Sequence, residues 1–206
     1  MGVKLLFSVV LFLLLFPVQA ASLAEGIIYL KGGKRIEYSG DDRIYIPKKN
    51  RNVKAFRNAF SKSKQKEVYP IAEIDSIVCW HRRTPAYRRK FIPATDVGWC
   101  WVYFRTPHIL ACVYAGKGYG IDSNGGICIW QRKRIFSSSC VKYYLQKEGE
   151  TVFYSPGKMK SRTGNAFRER LCYYLSDDAA LCGRIRRSDT WRDKTVLMLK
   201  EYSPGN

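Results

Sequence analysis

Histidine is the scarcest chemistry-bearing residue in the chain: there are two, His81 and His108, in 206 residues. Acids are sparse too, 17 against 36 Lys+Arg, which leaves a net charge of +19. There is no C-x-x-C, no H-E-x-x-H and no D-x-D-x-D-G loop, so no metal site is expected. There is no Walker loop. Gly116-Lys117-Gly118-Tyr119-Gly120 lacks the spacing and the following helix of a phosphate cradle, and it reads as a turn. No G-x-S-x-G nucleophile elbow occurs, and no cofactor is expected. Internal repeats and low-complexity tracts are absent. Past residue 20 no apolar run approaches 18 residues, so no later segment reads as a membrane-crossing helix.

What is present is enough apolar material, 46%, to bury a core. The N-terminus carries Lys4 and then a run of 12 residues, Leu5 to Phe16, apolar except for Ser8. Pro17 breaks the run, and Val18-Gln19-Ala20 fits the small-x-small cleavage rule. Residues 1–20 therefore read as a secretory signal peptide, with a mature start at Ala21 and a secreted or periplasmic destination. The run is too short to span a bilayer.

From residue 26 the pattern favours strands. Ile27 to Leu30 and Arg35 to Tyr38 flank Gly32-Gly33, a hairpin signal, because glycine takes the positive φ that tight turns need. Ser39-Gly40-Asp41-Asp42 is a further turn, and Ile44 and Ile46 alternate. Val53, Phe56 and Phe60 stand at i, i+3 and i+7, which predicts a short basic helix over 50–61 with Asn52 as its cap. Glu67 to Ile71 reads as a strand, Ala72 to Asp75 as one helical turn, and Ser76 to Trp80 as a strand. Residues 81–95, with Pro85, Pro93 and many basic residues, read as an exposed loop. Val97 to Phe104 is apolar on both faces, the mark of a central strand. Thr106-Pro107 turns it into Ile109 to Ala115. Asp122 to Gly126 turns Tyr119-Gly120-Ile121 into Ile127 to Trp130. Val141 to Gln146 and Thr151 to Tyr154 form a last hairpin.

The period then changes from 2 to 3.6. Asn165 is expected to cap a helix bearing Phe167, Leu171, Tyr174 and Leu175. A second helix follows Ser176-Asp177-Asp178 with Leu181 and Ile185 inward, its acids at the N-terminus and its arginines at the C-terminus, as the dipole prefers. A third follows Ser188-Asp189 with the stripe Trp191, Thr195, Met198, Leu199, Tyr202. Strands first and helices last predict an α+β fold. The expected fold is an antiparallel meander sheet over 21–160, with a helical segment of two to three helices, 161–206, packed on the same domain.

Gly26 to Ile36, followed by Pro70-Ile71-Ala72-Glu73-Ile74-Asp75-Ser76-Ile77, resembles small exported bacterial β-rich proteins. So does Tyr174-Leu175-Ser176-Asp177-Asp178-Ala179-Ala180-Leu181-Cys182-Gly183-Arg184-Ile185. The resemblance covers about a quarter of the chain and implies no catalytic residue.

Seven cysteines are an odd number, so at least one stays unpaired within the chain. Cys100 and Cys112 are symmetric about Thr106, and a hairpin would place them opposite each other, within disulfide range. Cys128 and Cys140 are symmetric about Arg134, and Cys172 and Cys182 flank Asp177. Reduced, buried cysteines fit the same apolar surroundings. A cysteine nucleophile needs a base. Cys79 with His81, and Cys112 with His108, share strand parity. His108 to Tyr114 and Gly118 to Asp122 resemble the His-bearing strand pair of papain-like peptidoglycan hydrolases. Those enzymes place their cysteine at the start of an N-terminal helix, and no cysteine upstream of His108 reads that way. Asp75 with Asp96 is a carboxylate pair that nothing singles out.

The charge distribution is the most unusual feature, and it reads either as a solvated face that keeps the chain soluble or as a binding surface. Residues 43–66 hold nine basic residues and no acid, and residues 76–95 hold five and no acid. The candidate contacts to an anionic partner are Lys48, Lys49, Arg51, Lys54, Arg57, Arg82, Arg83, Arg88, Arg89 and Lys90, with Tyr87 and Phe91 interleaved to stack. Such stretches attract polyanions by steering and counter-ion release. For an exported protein these would be envelope phosphates, anionic head groups or acidic polysaccharide, with nucleic acid ranked below. The leading reading is a non-catalytic module on an anionic envelope or extracellular partner. An envelope hydrolase and a structural accessory subunit of an envelope complex are the alternatives.

Overall fold

The computed structural model describes residues 23–94, 97–116, 118–121, 126–129, 141–159 and 162–205. The expected signal peptide, Asp96, Arg134 and Cys140 lie outside them. Strand β1 (Leu23–Leu30) turns through Gly33, at φ 81°, into β2 (Arg35–Tyr38). There follow β3 (Arg43–Tyr45), β4 (Val53–Arg57), β5 (Gln65–Tyr69), one 3-10 turn at Ile71–Glu73, and β6 (Ile74–His81). The meander continues with β7 (Thr84–Ala94), β8 (Gly98–Arg105) and β9 (Ile109–Ala115). A separate hairpin, β10 (Tyr119–Ile121) with β11 (Ile127–Ile129), precedes β12 (Val141–Lys147) and β13 (Tyr154–Lys158). Helices α1 (Asn165–Tyr174), α2 (Ala179–Arg187) and α3 (Arg192–Leu197) close the chain.

The result is α+β. An antiparallel 11-stranded sheet runs in the order β13-β12-β9-β8-β7-β6-β1-β3-β4-β5, with β2 also on β1. The larger of two apolar clusters takes Ile28, Ile77, Phe91, Trp99, Val113 and Tyr143 from the strands of the sheet. Phe167, Leu171, Leu175, Leu181, Ile185 and Leu199 enter the same cluster from the helical end. Each is 0% exposed apart from Val113 at 1%, and full burial of such a side chain contributes about 1.5–3 kcal/mol. Asp178 caps α2 by accepting from Leu181 N at 2.8 Å. Among the described residues no helix is long and apolar enough to cross a membrane.

Five expectations are corrected. Residues 53–57 are a strand, not a helix. Val53 and Ala55 alternate into the core, while Phe56 is buried on the other face under Tyr45 and Lys64. The i, i+3 spacing is thus the two faces of one strand, and Phe60 is 68% exposed. Residues 84–94 are an 11-residue strand rather than a loop. Pro85 stands outside Arg89–Phe91, the stretch that pairs continuously with β6, as a proline should; Pro93 is also outside that stretch but faces Trp99 in the β7–β8 ladder. Gly164, not Asn165, is the N-cap of α1, and Trp191 lies outside its helix and is 56% exposed.

The fifth concerns the cysteines. The turn sets Arg105 opposite Leu110, so the hairpin is not centred on Thr106, and past the irregularity between Val102 and Phe104 Cys112 faces Val102 and not Cys100. Cys79, Cys100, Cys112, Cys172 and Cys182 are free thiols, so the expected Cys100–Cys112 and Cys172–Cys182 bonds are not formed.

Candidate functional site

Alternation along β3, β4 and β5 sends Ile44, Val53 and Ala55 inward and leaves a second face for the other parity. On that face Lys66, Phe56 and Arg43 stand directly opposite one another across three strands. Beside them Lys54 opposes Val68. Tyr45 meets Phe56 edge-on at 5.7 Å, and Lys64 Nζ sits 4.1 Å over the Phe56 ring. Cations and apolar groups therefore interleave. Lys54, Lys64 and Lys66 are exposed, as are Phe60, Val68 and Tyr45. No carboxylate among the described residues pairs with Lys54, Lys62, Lys64 or Lys66.

Phe60 sits at the tip of the β4–β5 hairpin. The tip is fixed by two backbone amides: Ala59 N donates to Asp41 O at 2.9 Å, and Asn58 N to the Asp42 carboxylate Oδ1 at 2.9 Å. Arg43 places its guanidinium 5.0 Å from the Phe60 ring. Arg43 is itself buried, held by Gly40 O and Asp42 O at 2.6 Å each and facing Glu25 at 3.7 Å. Glu25 accepts from Trp80 Nε1 at 2.9 Å, and Arg88 stacks over the Trp80 ring at 4.6 Å. This ladder crosses four strands and joins the two acid-free runs. Its one carboxylate is buried and already partnered.

The expected contacts are divided by this geometry. Lys54, Arg82, Arg83, Arg88 and Lys90 are exposed on or beside the ladder's strands. Arg82 and Arg83 form the two-residue turn between β6 and β7. Arg89 has the opposite parity and stacks on Trp101 at 5.0 Å. Lys48, Lys49 and Arg51 lie apart, on the β3–β4 connection that docks on β8. There Trp99 N donates to Lys49 O at 3.0 Å and Trp99 Nε1 to Arg51 O at 2.9 Å. Gly98, at φ 112°, permits this approach, since a Cβ there would lie 2.9 Å from the Lys49 carbonyl carbon. Arg57 faces inward, paired to Asp42 at 2.6 Å and Glu67 at 3.0 Å, and is not available to a partner. Phe60, Tyr45 and Val68 were not legible as surface groups; reading 53–57 as a strand would have exposed them.

The catalytic candidates do not assemble. Burial pushes the Cys79 and Cys112 thiols well up from their ordinary value, the reverse of what a nucleophile needs. His81 Nδ1 accepts from Arg83 N at 3.2 Å, and His108 Nδ1 lies 3.8 Å from Glu148. Two open clefts, of about 460 and 420 Å³, are each lined by one carboxylate, Glu150 and Asp75, and by no His or Cys. No metal-binding group of three or more His, Cys, Asp or Glu occurs among the described residues. No family model matches the sequence, and no curated protein or solved structure matches it either.

Proposed function

We propose that the chain is an exported, non-catalytic module that associates with an anionic envelope or extracellular partner through the β3–β4–β5 face and the adjoining β7 arginines. The observation that carries the reading is the set of four exposed lysines, 54, 62, 64 and 66, on or beside a face joined to the Arg43–Trp80 ladder, whose one carboxylate, Glu25, is buried and paired. Such cations keep their full attraction for a polyanion, and binding releases its counter-ions. The N-terminal signal and the resemblance to exported β-rich proteins support a secreted or periplasmic destination.

The test is paired charge removal. Changing Lys54, Lys62, Lys64 and Lys66 to Gln should weaken retention on heparin and flatten its dependence on salt. Changing the equally exposed Lys31, Lys34, Lys158 and Lys194 to Gln removes the same charge elsewhere. Equal losses in both variants would show a diffuse solubilising charge and end the proposal.

A further inference from the structure

We propose that the partner of this face is an anionic lipid bilayer, and that Phe60 inserts at its interface; this rests on the anionic-partner reading above. A sulfated polymer such as heparin is held by cations and hydrogen bonds and has no apolar layer to receive an exposed phenyl ring. The β4–β5 hairpin instead presents apolar groups to water among exposed lysines. Phe60 is 68% exposed, Val68 47% and Tyr45 40%, with Lys54, Lys64 and Lys66 between and beside them. Large exposed apolar groups rimmed by cations on an ordered tip match an interface that is negative at its surface and apolar just beneath. The tip is anchored through Ala59 N to Asp41 O, so the ring need not reorganise the chain in order to insert. Arg43, 5.0 Å from the ring, holds Phe60 over the sheet face. Tyrosine suits the head-group level, where one end is apolar and the other wet.

The experiment uses the mature chain, sedimented with vesicles of phosphatidylcholine alone or of equimolar phosphatidylcholine and phosphatidylglycerol. Wild type should bind the anionic vesicles and not the neutral ones. Phe60→Ser should lower anionic-vesicle partitioning about tenfold, the loss of one buried aromatic side chain. It should leave heparin retention unchanged and, because Phe60 is mostly in water already, leave the unfolding midpoint unchanged. Lys54, Lys64 and Lys66 to Gln should weaken both, the vesicle binding on the order of a hundredfold at low salt. A Phe60→Trp variant adds a direct reading: its extra emission should shift blue and be quenched by bromine-labelled acyl chains. Heparin retention with no vesicle binding, or with vesicle binding indifferent to Phe60, overturns the lipid assignment and leaves the anionic-partner reading standing. Failure to bind both heparin and anionic vesicles ends both.

Discussion

Arg57 Nε donates to the Glu67 carboxylate at 3.0 Å across the β4–β5 pair. Arg57 also closes on Asp42 at 2.6 Å, so the two acids that bracket the basic run both meet at its one inward arginine. Tyr38 and Tyr69 add hydroxyl bonds to Glu67, and the guanidinium lies 4.1 Å over the Tyr38 ring. Burial alone would raise the Glu67 carboxyl. The bonds from Tyr38, Tyr69 and Arg57 outweigh it and hold the group below its ordinary value. Asp42 is lowered in the same way, with Arg57 and the Asn58 amide overcoming its burial.

A lowered carboxyl contributes stability above its unfolded pKa and loses it as pH falls through the folded value. Glu67→Gln should therefore cost about 1–2 kcal/mol at pH 7, modest because the pair is one-third exposed and screened. The gap from wild type should narrow as pH falls below 4.5, the carboxyl's ordinary value. Tyr38 supplies the opposite limb. Burial and then Glu67 raise its pKa above 10.0, so its contribution is present below pH 10 and lost above it. Urea midpoints measured from pH 3 to 11 test both limbs; a gap independent of pH in the acid range refutes the first.

Glu25 is the second place where charge is confined. Arg43 and Trp80 converge on it, and its side chain is 11% exposed against 8% for Arg43. Removing one member of a buried pair leaves the other uncompensated. Glu25→Ala should cost about 3 kcal/mol, the low end for such a pair, because Arg43 keeps its two carbonyl bonds. Glu25→Ala with Arg43→Met should recover a large part of that loss. A double variant as unstable as the single one in chemical denaturation would show that the carboxylate's bond to Trp80, not the arginine, sets the cost.

How far the sequence reveals this depends on the segment. Ile109 to Ala115 is a strand with the expected bounds, because Thr106 accepts from the turn amides at its start and β-favouring residues fill it. Leu181 and Ile185 are inward because 3.6-residue spacing admits one face. The failures are where two periods coincide. Val53 and Phe56 satisfy a helix stripe and a doubly covered strand equally, and only pairing with β3 and β5 decides. Residues 84–94 carry loop composition because one side of β7 faces water. The acid-free runs were visible, but their junction through Glu25 and Trp80, 55 residues apart, is a product of topology alone.

The thiols give a third expectation. Burial pushes Cys100 up to about 12 and Cys79 further. Cys112 is also raised, chiefly by burial. All three should resist iodoacetamide at pH 8 in the native protein and react fully once unfolded, since the thiolate is the reactive form. Peptide mapping by mass spectrometry reads each site. Native labelling of Cys79 or Cys112 at the rate of a free thiol would contradict the packing of the sheet, and would reopen a nucleophilic role.

The hydroxyl of Tyr119 offers the sharpest test of how the central strands are held. It donates to Val113 O at 2.7 Å, stands 3.1 Å from Trp99 O, and accepts from Trp101 N and Ala115 N at 3.3 Å each. Those groups belong to β8 and β9, in which Trp101 and Val113 are direct partners. One side-chain oxygen thus takes the place of ladder bonds between two strands. The ring packs separately, edge-on to Phe91 at 4.9 Å and to Trp101 at 6.4 Å. Tyr119→Phe keeps that packing and removes only the oxygen. Apart from the half-buried Trp101 amide, the backbone groups it served are buried, and each of those costs about 1–3 kcal/mol if left without a partner. Partial re-pairing of β8 with β9 can recover some of this, so a net loss of about 2–3 kcal/mol is expected. The amides of Trp101 and Ala115 should also exchange faster than their neighbours in the variant. Unchanged stability and unchanged exchange at those two amides would mean that β8 and β9 close directly once the hydroxyl is gone, and that Tyr119 only fills space.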